Sequence, residues 1–442
     1  MLDWLRQLSA QVRRSLEKRG SPPEPVLRQL LQTMYFSSLS REEAQPIAFH
    51  IVYMDPGNPD PTPPPRIVED RWAYARLSER VPFDTSSLTK LAKASDPRSS
   101  SLAVYHDSNG RLFVWGLVDQ GNRYFDFITY NSEEGPERPG VFQASIIGPG
   151  HIRVFCGYEL IADFKVNETQ KKPLDAFGRG PVRAALDPAI QRHLATAAAE
   201  AGLGGDEPDH WREHLAGSWI TAVRRLLLRI QQYGHGGSIL LTPDSAFRGL
   251  NVKYGLEYSR LRTSLLRGAV YRMQHWETQD EIDQLLDDDV VDMPVGLYLD
   301  DAILENDLDD VRSELDGVLW FVSLLSRVDG LVLMTPDLDV HGFGVEMQTS
   351  EQPEIVYRAG NATASPSRRS RADYNHFGTR HRSMMRYCAA RPGSVGLVVS
   401  QDGDVRAMTS VDGALVMWEN LQLRFDDFDR RRLRSRAGAD PA

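Results

Sequence analysis

The residues from Gly378 to Arg382 (GTRHR) combine a helix start with three side chains that can carry positive charge. Gly378 and Thr379 are typical of a turn and a helix N-cap, and Ser383–Ala390 continues the helix. Cations are unfavourable there because the helix dipole already places about half a positive charge at the N-terminus. A polyphosphate would relieve this repulsion by binding the free N–H groups and the guanidinium groups. The alternative is a basic helix start that pairs with surface carboxylates.

Two apolar runs near this segment begin or end in residues that can contact a ligand. Ser394–Ser400 (SVGLVVS) is almost entirely apolar, which is typical of a buried strand, and a polar turn beginning at Gln401 follows it. Upstream, Asp329-Gly330 opens a second apolar strand at Leu331–Met334. The carboxylate is a hard oxygen ligand for a divalent cation, and the glycine lets the backbone approach a ligand closely.

Taken in order, Asp329-Gly330, the GTRHR segment and the VVS strand end resemble the motifs of the diadenylate cyclase family. That family is marked by a DGA motif and a GTRHR motif, and its members condense two ATP molecules into cyclic di-AMP across a head-to-head pair of domains. The resemblance covers Trp211 to about Phe428. It implies an α/β domain with a mixed sheet flanked by helices, with ATP as substrate, Mg²⁺ or Mn²⁺ as cofactor, and self-association of the domain.

The resemblance also implies roles for individual residues. Asp329 and His381 would be catalytic, since an imidazole can donate to a phosphate oxygen or move a proton near neutral pH. A guanidinium group binds two phosphate oxygens at once, which suits the two arginines. The implied nucleotide-binding residues are Gly330, Leu331, Gly378, Thr379, Arg380, Arg382 and Ser400, and the implied metal ligands are Asp329, Gln401 and Asp402.

Two positions depart from the family's pattern. Leu331 stands where the motif has alanine, and we expect its larger side chain to crowd the nucleotide. Gln401-Asp402 stands where two acidic residues are usual, and metal affinity should fall because an amide carries no charge. The main alternative is therefore a catalytically weakened or inactive cyclase-like domain that acts as a nucleotide sensor. A further alternative is an unrelated α/β protein in which the GTRHR match is structural.

The length of 442 residues predicts two domains. We expect an α+β N-terminal domain at residues 1–180, a helical linker at 181–210, the cyclase-like domain at 211–428 and a basic tail at 429–442. Some cyclase-like proteins carry an N-terminal sensor domain, and the first part of this chain resembles such a domain. By this analogy the N-terminal domain regulates the C-terminal one.

The N-terminal domain is expected to combine helices with a series of strands. An amphipathic helix is predicted at Leu2–Lys18, where it would pack against protein or attach to a membrane. Strands are predicted from Ser101 onwards, including one at Tyr124–Tyr130. Aromatic side chains in this region, Trp115 among them, would form the core or line a ligand pocket.

The composition of the chain indicates which binding partners and which cellular compartment to expect. The formal net charge of −10 argues against a general nucleic-acid binder. Only two cysteines occur, Cys156 and Cys388, which is no disulfide framework and favours the cytoplasm. No apolar run reaches the roughly 18 residues that a membrane span needs, so we expect no membrane-spanning helix.

The acidic segment Thr278–Asp292 is expected to be a solvated loop rather than a metal site.

Overall fold

The structure is a computed structural model. It describes residues 3–16, 22–42, 45–61, 63–64, 71–95, 99–128, 135–139, 142–165, 168–169, 173–203, 208–287, 294–401 and 403–423. The chain divides into two compact units between residues 172 and 173, and the second unit is Pro173–Leu423. The predicted basic tail at 429–442 lies outside the described residues.

The described part of the first unit is rich in strands. Its helices are α1 (Asp3–Leu16), α2 (Glu24–Ser38), α3 (Thr85–Leu91) and α4 (Gly121–Ile128). Its strands are β1 (Arg41–Glu42), β2 (Gln45–Pro46), β3 (Phe49–Tyr53), β4 (Ala73–Pro82), β5 (Ser100–His106), β6 (Leu112–Asp119), β7 (Phe142–Gly148), β8 (His151–Cys156), β9 (Glu159–Lys165) and β10 (Glu168–Thr169). Apart from the β1–β2 pair, these strands form one sheet of order β10-β9-β8-β7-β3-β5-β6-β4.

Helix α1 packs inside the first unit. Leu5, Leu8, Val12 and Leu16 recur at helical spacing, and all four are buried in a cluster shared with α2 and the sheet. The ring of Trp4 stacks on Phe164 of β9 at a centroid distance of 4.6 Å. Of the two alternatives for the amphipathic helix, packing against protein is therefore confirmed.

The predicted strand at Tyr124–Tyr130 is wrong for its described part, because α4 occupies Gly121–Ile128. Gly121 has a φ of +73°, which ends the extended backbone of β6. The Asp119 carboxylate accepts a hydrogen bond from the Gly121 N–H at 3.0 Å and forms a local turn. Tyr124 and Phe127 are then buried at a spacing of three residues, which suits a helix and not an alternating strand.

The second unit is a mixed sheet flanked by helices, as predicted. Its helices are α5 (Pro181–Ala201), α6 (Asp209–Gln232), α7 (Arg260–Asp287), α8 (Val295–Leu325) and α9 (Thr379–Ala390). Its strands are β11 (Gly237–Leu241), β12 (Leu250–Asn251), β13 (Tyr254–Tyr258), β14 (Leu331–Met334), β15 (Val340–Met347), β16 (Val356–Ala359), β17 (Arg369–Arg371), β18 (Val395–Val399), β19 (Val405–Val411) and β20 (Ala414–Trp418). The segment predicted as a helical linker begins with α5, which belongs to this unit.

The strands of the second unit form a sheet of order β12-β15-β14-β11-β18-β19-β20-β16-β17, and β13 pairs with β15. Every residue of β11 and β18 is buried, as their apolar sequences predict. Strand β11 is parallel to β14 and antiparallel to β18. Helix α9 covers this region through Met384, Met385, Tyr387 and Cys388. Burial raises the pKa of the Cys388 thiol to about 12, which leaves it protonated and unreactive.

Helices α7 and α8 pack against each other in antiparallel directions, because Arg260 early in α7 contacts Glu314 late in α8, and Gln279 late in α7 contacts Asp301 early in α8. Arg260, at the start of α7, pairs with Glu314 at 2.8 Å. The acidic segment predicted as a loop instead continues α7 as far as Asp287, and residues 288–293 lie outside the described residues. Burial of Ile282 explains the difference, since packing outweighs weak helix propensity. Among the described residues, no helix is both long and apolar enough to cross a membrane.

His193 on α5 predicts acid sensitivity. Burial lowers its pKa to about 4, and the Asp337 carboxylate only partly opposes this shift. Because an unfolded histidine has a pKa of about 6.5, the unfolded chain binds more protons between these values. We therefore expect stability to fall as pH drops from about 6.5 towards 4, by up to about 1.4 kcal/mol per pH unit from this residue.

Urea unfolding of the wild type and His193→Gln at several pH values measures this contribution by difference. The variant should lose less stability than the wild type over the window from about 6.5 down to about 4. Parallel pH dependences of the two proteins would contradict the prediction.

Candidate functional site

The strand order brings the predicted motifs to one edge of the second unit's sheet. Gly237 at the start of β11 pairs with Val399 at the end of β18. Strand β14 starts beside the same end of β11, since Ile239 pairs with Val332. The Asp-Gly pair before β14 and the polar turn after β18 therefore flank the start of β11. We call this region the motif edge: residues 234–237, 329–330, 378–382 and 400–401.

Gly236 joins the motif edge to helix α9. It has a φ of +72°, and a Cβ at this position would lie 2.7 Å from the Val399 carbonyl oxygen and 2.9 Å from Nη1 of Arg380. The backbone of the turn thus lies directly against the end of β18 and the first turn of α9. Only glycine fits both the conformation and the space.

Helix α9 begins without a side-chain cap. Gly378 is the N-cap residue, and it has no side chain that could accept a hydrogen bond from the first helical N–H groups. The prediction of Thr379 as the N-cap is therefore wrong, because Thr379 is the first residue of the helix. Its side chain is exposed. The uncapped N–H groups and the positive end of the helix dipole favour an anion at this position.

Arg380 and Arg382 lie in the first turn of α9 and make no ion pair with the described residues. Arg380 is exposed and Arg382 is half-buried. In the described part of the chain, these cations therefore do not pair with surface carboxylates, which was the alternative. Two free guanidinium groups at an uncapped helix start form a cationic surface that could bind a phosphate chain.

His381 lies in a hydrogen-bonded network with the end of β18. Arg406, at the start of β19, donates from Nη1 to His381 Nε2 at 3.0 Å and to Ser400 Oγ at 2.9 Å. The Ser400 hydroxyl is also 3.4 Å from His381 Nε2. Glu419 accepts from Arg406 Nε at 3.3 Å and fixes the guanidinium group. Because Nε2 accepts from Arg406, the imidazole is neutral in this arrangement and carries its proton on Nδ1.

Arg406 was not among the predicted site residues. The only signal for it in the sequence is its position just after the polar turn that follows β18. A single basic residue at a strand start carries no pattern, and its role depends on the antiparallel pairing of Val398 with Arg406.

Asp329 is exposed at the motif edge, next to a strained glycine. Gly330 has a φ of +118°, and a Cβ there would lie 2.7 Å from the Cα of Gly344. The Ser238 hydroxyl donates to the Gly330 carbonyl oxygen at 3.4 Å and ties the pair to β11. This backbone geometry holds the carboxylate of Asp329 out of the core, where a cation could bind it.

Leu331 does not lie at the motif edge. Its side chain is 5% exposed and belongs to the cluster beneath α9, together with Leu240, Val345 and Met384. Strand β14 turns this side chain into the core, whereas the expected crowding of a nucleotide would need it at the surface. Any contact of Leu331 with a ligand would come from its backbone.

The polar turn after β18 carries the remaining predicted metal ligands. Gln401 is exposed, and the turn is closed by a hydrogen bond from the Gly403 N–H to the Ser400 carbonyl oxygen at 3.0 Å. Gln231 of α6 also donates to the Gly403 carbonyl oxygen at 2.6 Å. Asp402 lies outside the described residues. Among the described residues, Asp329 is not part of any cluster of three or more metal-binding side chains.

Two features near Asp329 were not predicted from the sequence. The ring of Tyr254 is exposed, stacks on Phe343 at 4.9 Å, and lies against Gly344 beside the Asp-Gly pair. Lys253 pairs with Glu346 at 2.6 Å, and this hydrogen bond raises the lysine pKa, with a smaller contribution from Asp329. The contact of Tyr254 depends on the pairing of β13 with β15, and that of Lys253 on the pairing of β12 with β15, and the sequence specifies neither.

The first unit contains a separate polar cluster around Arg138. Its guanidinium group is packed among the rings of Tyr124, Phe155 and Tyr158 and donates to the Gly157 carbonyl oxygen at 2.9 Å and to His50 Nε2 at 3.2 Å. Burial, followed by the charge of Arg138, lowers the pKa of His50 well below its usual range. The cluster therefore contains a neutral imidazole beside a buried cation.

Comparison with known proteins identifies part of the first unit. A family model described as "Probable sensor domain DACNV" matches residues 16–119, less than a quarter of the chain. This match supports the prediction of a sensor domain in the N-terminal part. Comparisons with curated proteins and with solved structures gave no match.

Proposed function

We propose that the second unit is a diadenylate cyclase-like domain that condenses two ATP molecules into cyclic di-AMP. The observation that carries the proposal is the motif edge itself. It combines two guanidinium groups without ion pairs among the described residues, an uncapped helix start and an exposed carboxylate. In this proposal the first unit regulates the reaction as a sensor domain, and the protein works in the cytoplasm, where ATP is available.

Arg380 and Arg382 hold the triphosphate of one ATP with the first N–H groups of α9. Their charges offset those of the pyrophosphate that leaves, which lowers the barrier to phosphoryl transfer. Tyr254 and Phe343 offer an aromatic surface for the adenine ring on the other side of Asp329. In this arrangement the phosphates bind at the start of α9 and the base binds beyond Asp329, beside β13 and β15.

Asp329 would hold Mg²⁺ or Mn²⁺ together with the phosphates, and Gln401 would add a neutral oxygen ligand. Such an ion supplies Lewis acidity towards the phosphate oxygens. One exposed carboxylate fits this role, because magnesium commonly binds one or two carboxylates plus substrate phosphates. The exposed Asp329 and the uncharged Gln401 suit an ion that binds with its nucleotide.

His381 would donate from Nδ1, because its Nε2 accepts from Arg406. In the proposed reaction its N–H orients a phosphate oxygen, and Arg406 keeps the imidazole in that tautomer. One domain holds one ATP, so two domains face each other to bring the 3′-hydroxyl of one nucleotide to the α-phosphate of the other.

The second candidate function is nucleotide sensing without synthesis. The exposed, uncharged Gln401 at the predicted metal position favours it, because weaker metal binding would reduce catalysis while the arginines still bind phosphate. In that case nucleotide binding would signal through a change in assembly.

Incubation of the full chain with ATP and Mn²⁺, followed by mass detection of cyclic di-AMP, tests the proposal. We expect product, with a rate per chain that rises with protein concentration because two domains must meet. No product, with a melting temperature that ATP or cyclic di-AMP still raises, would support the sensing function. Neither product nor a shift in melting temperature would overturn both.

A further inference from the structure

A cluster of metal-binding side chains lies between α7 and α8, away from the motif edge. His275 is on α7, and Asp301 and Glu305 lie one turn apart on α8. One potential ligand atom from each of the three residues lies within 4.8 Å of the others. Asp301 precedes the end of α8 by about 36 Å of helix, and Asp329 follows that end, so this cluster is distinct from the motif edge.

The two ring nitrogens of His275 are buried and make no hydrogen bond to the described residues. Its side chain is 14% exposed, and neither ring nitrogen has a hydrogen-bond partner among the residues that the structure describes. Nε2 lies 3.2 Å from Oδ1 of Asp301, but the contact does not have hydrogen-bond geometry. Burying an imidazole in this way is unfavourable unless another group binds its lone pair.

The distance between Nε2 of His275 and Oδ1 of Asp301 is suitable for two ligands of one metal ion. When both ligand bonds are about 2.0–2.1 Å long and the geometry is tetrahedral, the two ligand atoms are about 3.3 Å apart. Nε2 of His275 and Oδ1 of Asp301 are 3.2 Å apart. The observed distance is therefore that of two neighbouring ligands.

A further contact holds the aspartate in place. Gln279, one turn after His275 on α7, donates from Nε2 to Oδ1 of Asp301 at 2.5 Å. Hydrogen bonds of this kind orient ligating carboxylates in metal sites. Asp301 is only 18% exposed, and Glu305 is exposed and completes the cluster on the solvent side.

We propose that His275, Asp301 and Glu305 bind a divalent first-row transition-metal ion, with Zn²⁺ as the expected occupant. An imidazole nitrogen with two carboxylates suits zinc better than the all-oxygen sites of calcium and magnesium. Water would fill the fourth position on the exposed side. The ion would join α7 to α8 and stabilise the helix pair that leads the chain to Asp329.

Calorimetric titration of tag-free, metal-stripped full chain with Zn²⁺ tests the site. We expect one ion per chain, a higher melting temperature with Zn²⁺, and tetrahedral absorption bands when Co²⁺ replaces it. His275→Gln should weaken Zn²⁺ binding at least about 100-fold, and Asp301→Asn at least about 10-fold. Folding of each variant is checked by its circular dichroism spectrum.

Asp300→Asn is the matched control, since it removes the same charge from the neighbouring exposed residue and should leave Zn²⁺ affinity unchanged. Asp329→Asn should also leave it unchanged, which separates this site from the motif edge. Absence of Zn²⁺ binding to the wild type would overturn the proposal. Equal Zn²⁺ affinities of the wild type and both ligand variants, or loss of binding in Asp329→Asn, would also overturn it.

Discussion

Replacing Asp329 with asparagine is expected to reduce cyclic di-AMP synthesis at least about 100-fold while leaving ATP binding largely intact. The substitution removes the exposed carboxylate that would hold Mg²⁺ or Mn²⁺ with the phosphates, yet it keeps the shape of the side chain. The substitution does not change Arg380, Arg382 or the start of α9, which provide most of the proposed contacts with the triphosphate. The measurements are product formation by mass spectrometry and ATP affinity by calorimetry.

The chain contains a control for this substitution in the Asp-Gly-Ala sequence at Asp412 to Ala414. The structure places Asp412 in the tight turn between β19 and β20, at the opposite end of β19 from the motif edge. Asp412→Asn makes the same chemical change and should leave both synthesis and ATP binding unaltered. Full synthesis by Asp329→Asn would contradict the proposed role of this carboxylate.

The local elements around the motifs could be predicted because each has a strong signal. The apolar runs of β11 and β18 predicted central strands, and every residue in them is buried. The GTRHR segment predicted a helix, and α9 runs from Thr379 to Ala390. These features depend on the burial of apolar side chains over short stretches, which a sequence displays directly.

The contacts that assemble the motif edge could not be predicted in the same way. Arg406 reaches His381 only because β18 and β19 pair in one register, and Tyr254 lies beside Gly344 only because β13 pairs with β15. Register and strand order depend on long-range packing. The same reason accounts for Leu331, whose position in the motif suggested a site residue and whose side chain packs in the core.

The helix at Gly121–Ile128 was missed for a different reason. Its aromatic residues favour strands by propensity, and they follow a clear strand pair in the sequence. The positive φ of Gly121 and the hydrogen bond from its N–H to Asp119 redirect the chain first. The local turn, and not the strand propensity of the aromatic residues, therefore determines the conformation of these eight residues.

Gly236→Ala is expected to damage the motif edge without replacing any proposed ligand-binding residue. An added Cβ would lie 2.7 Å from the Val399 carbonyl oxygen and 3.2 Å from the Gln401 backbone nitrogen. Because both are backbone atoms of β18 and its turn, the strand end or the glycine turn must shift. Arg380, whose Nη1 would be 2.9 Å from the new atom, would be displaced as well. We expect at least about 10-fold weaker ATP binding and a loss of about 2–3 kcal/mol in stability.

Gly234→Ala separates this steric effect from backbone strain. Gly234 has a φ of +69°, close to the +72° of Gly236, but a Cβ there meets nothing within 4 Å. It should therefore lose only about 1 kcal/mol for the left-handed conformation and keep its ATP affinity. Urea unfolding and calorimetric titration with ATP compare the two variants. Since their strain is matched, a difference in ATP affinity would come from the contact with β18 and Arg380, and equal affinities would exclude the glycine turn from the nucleotide site.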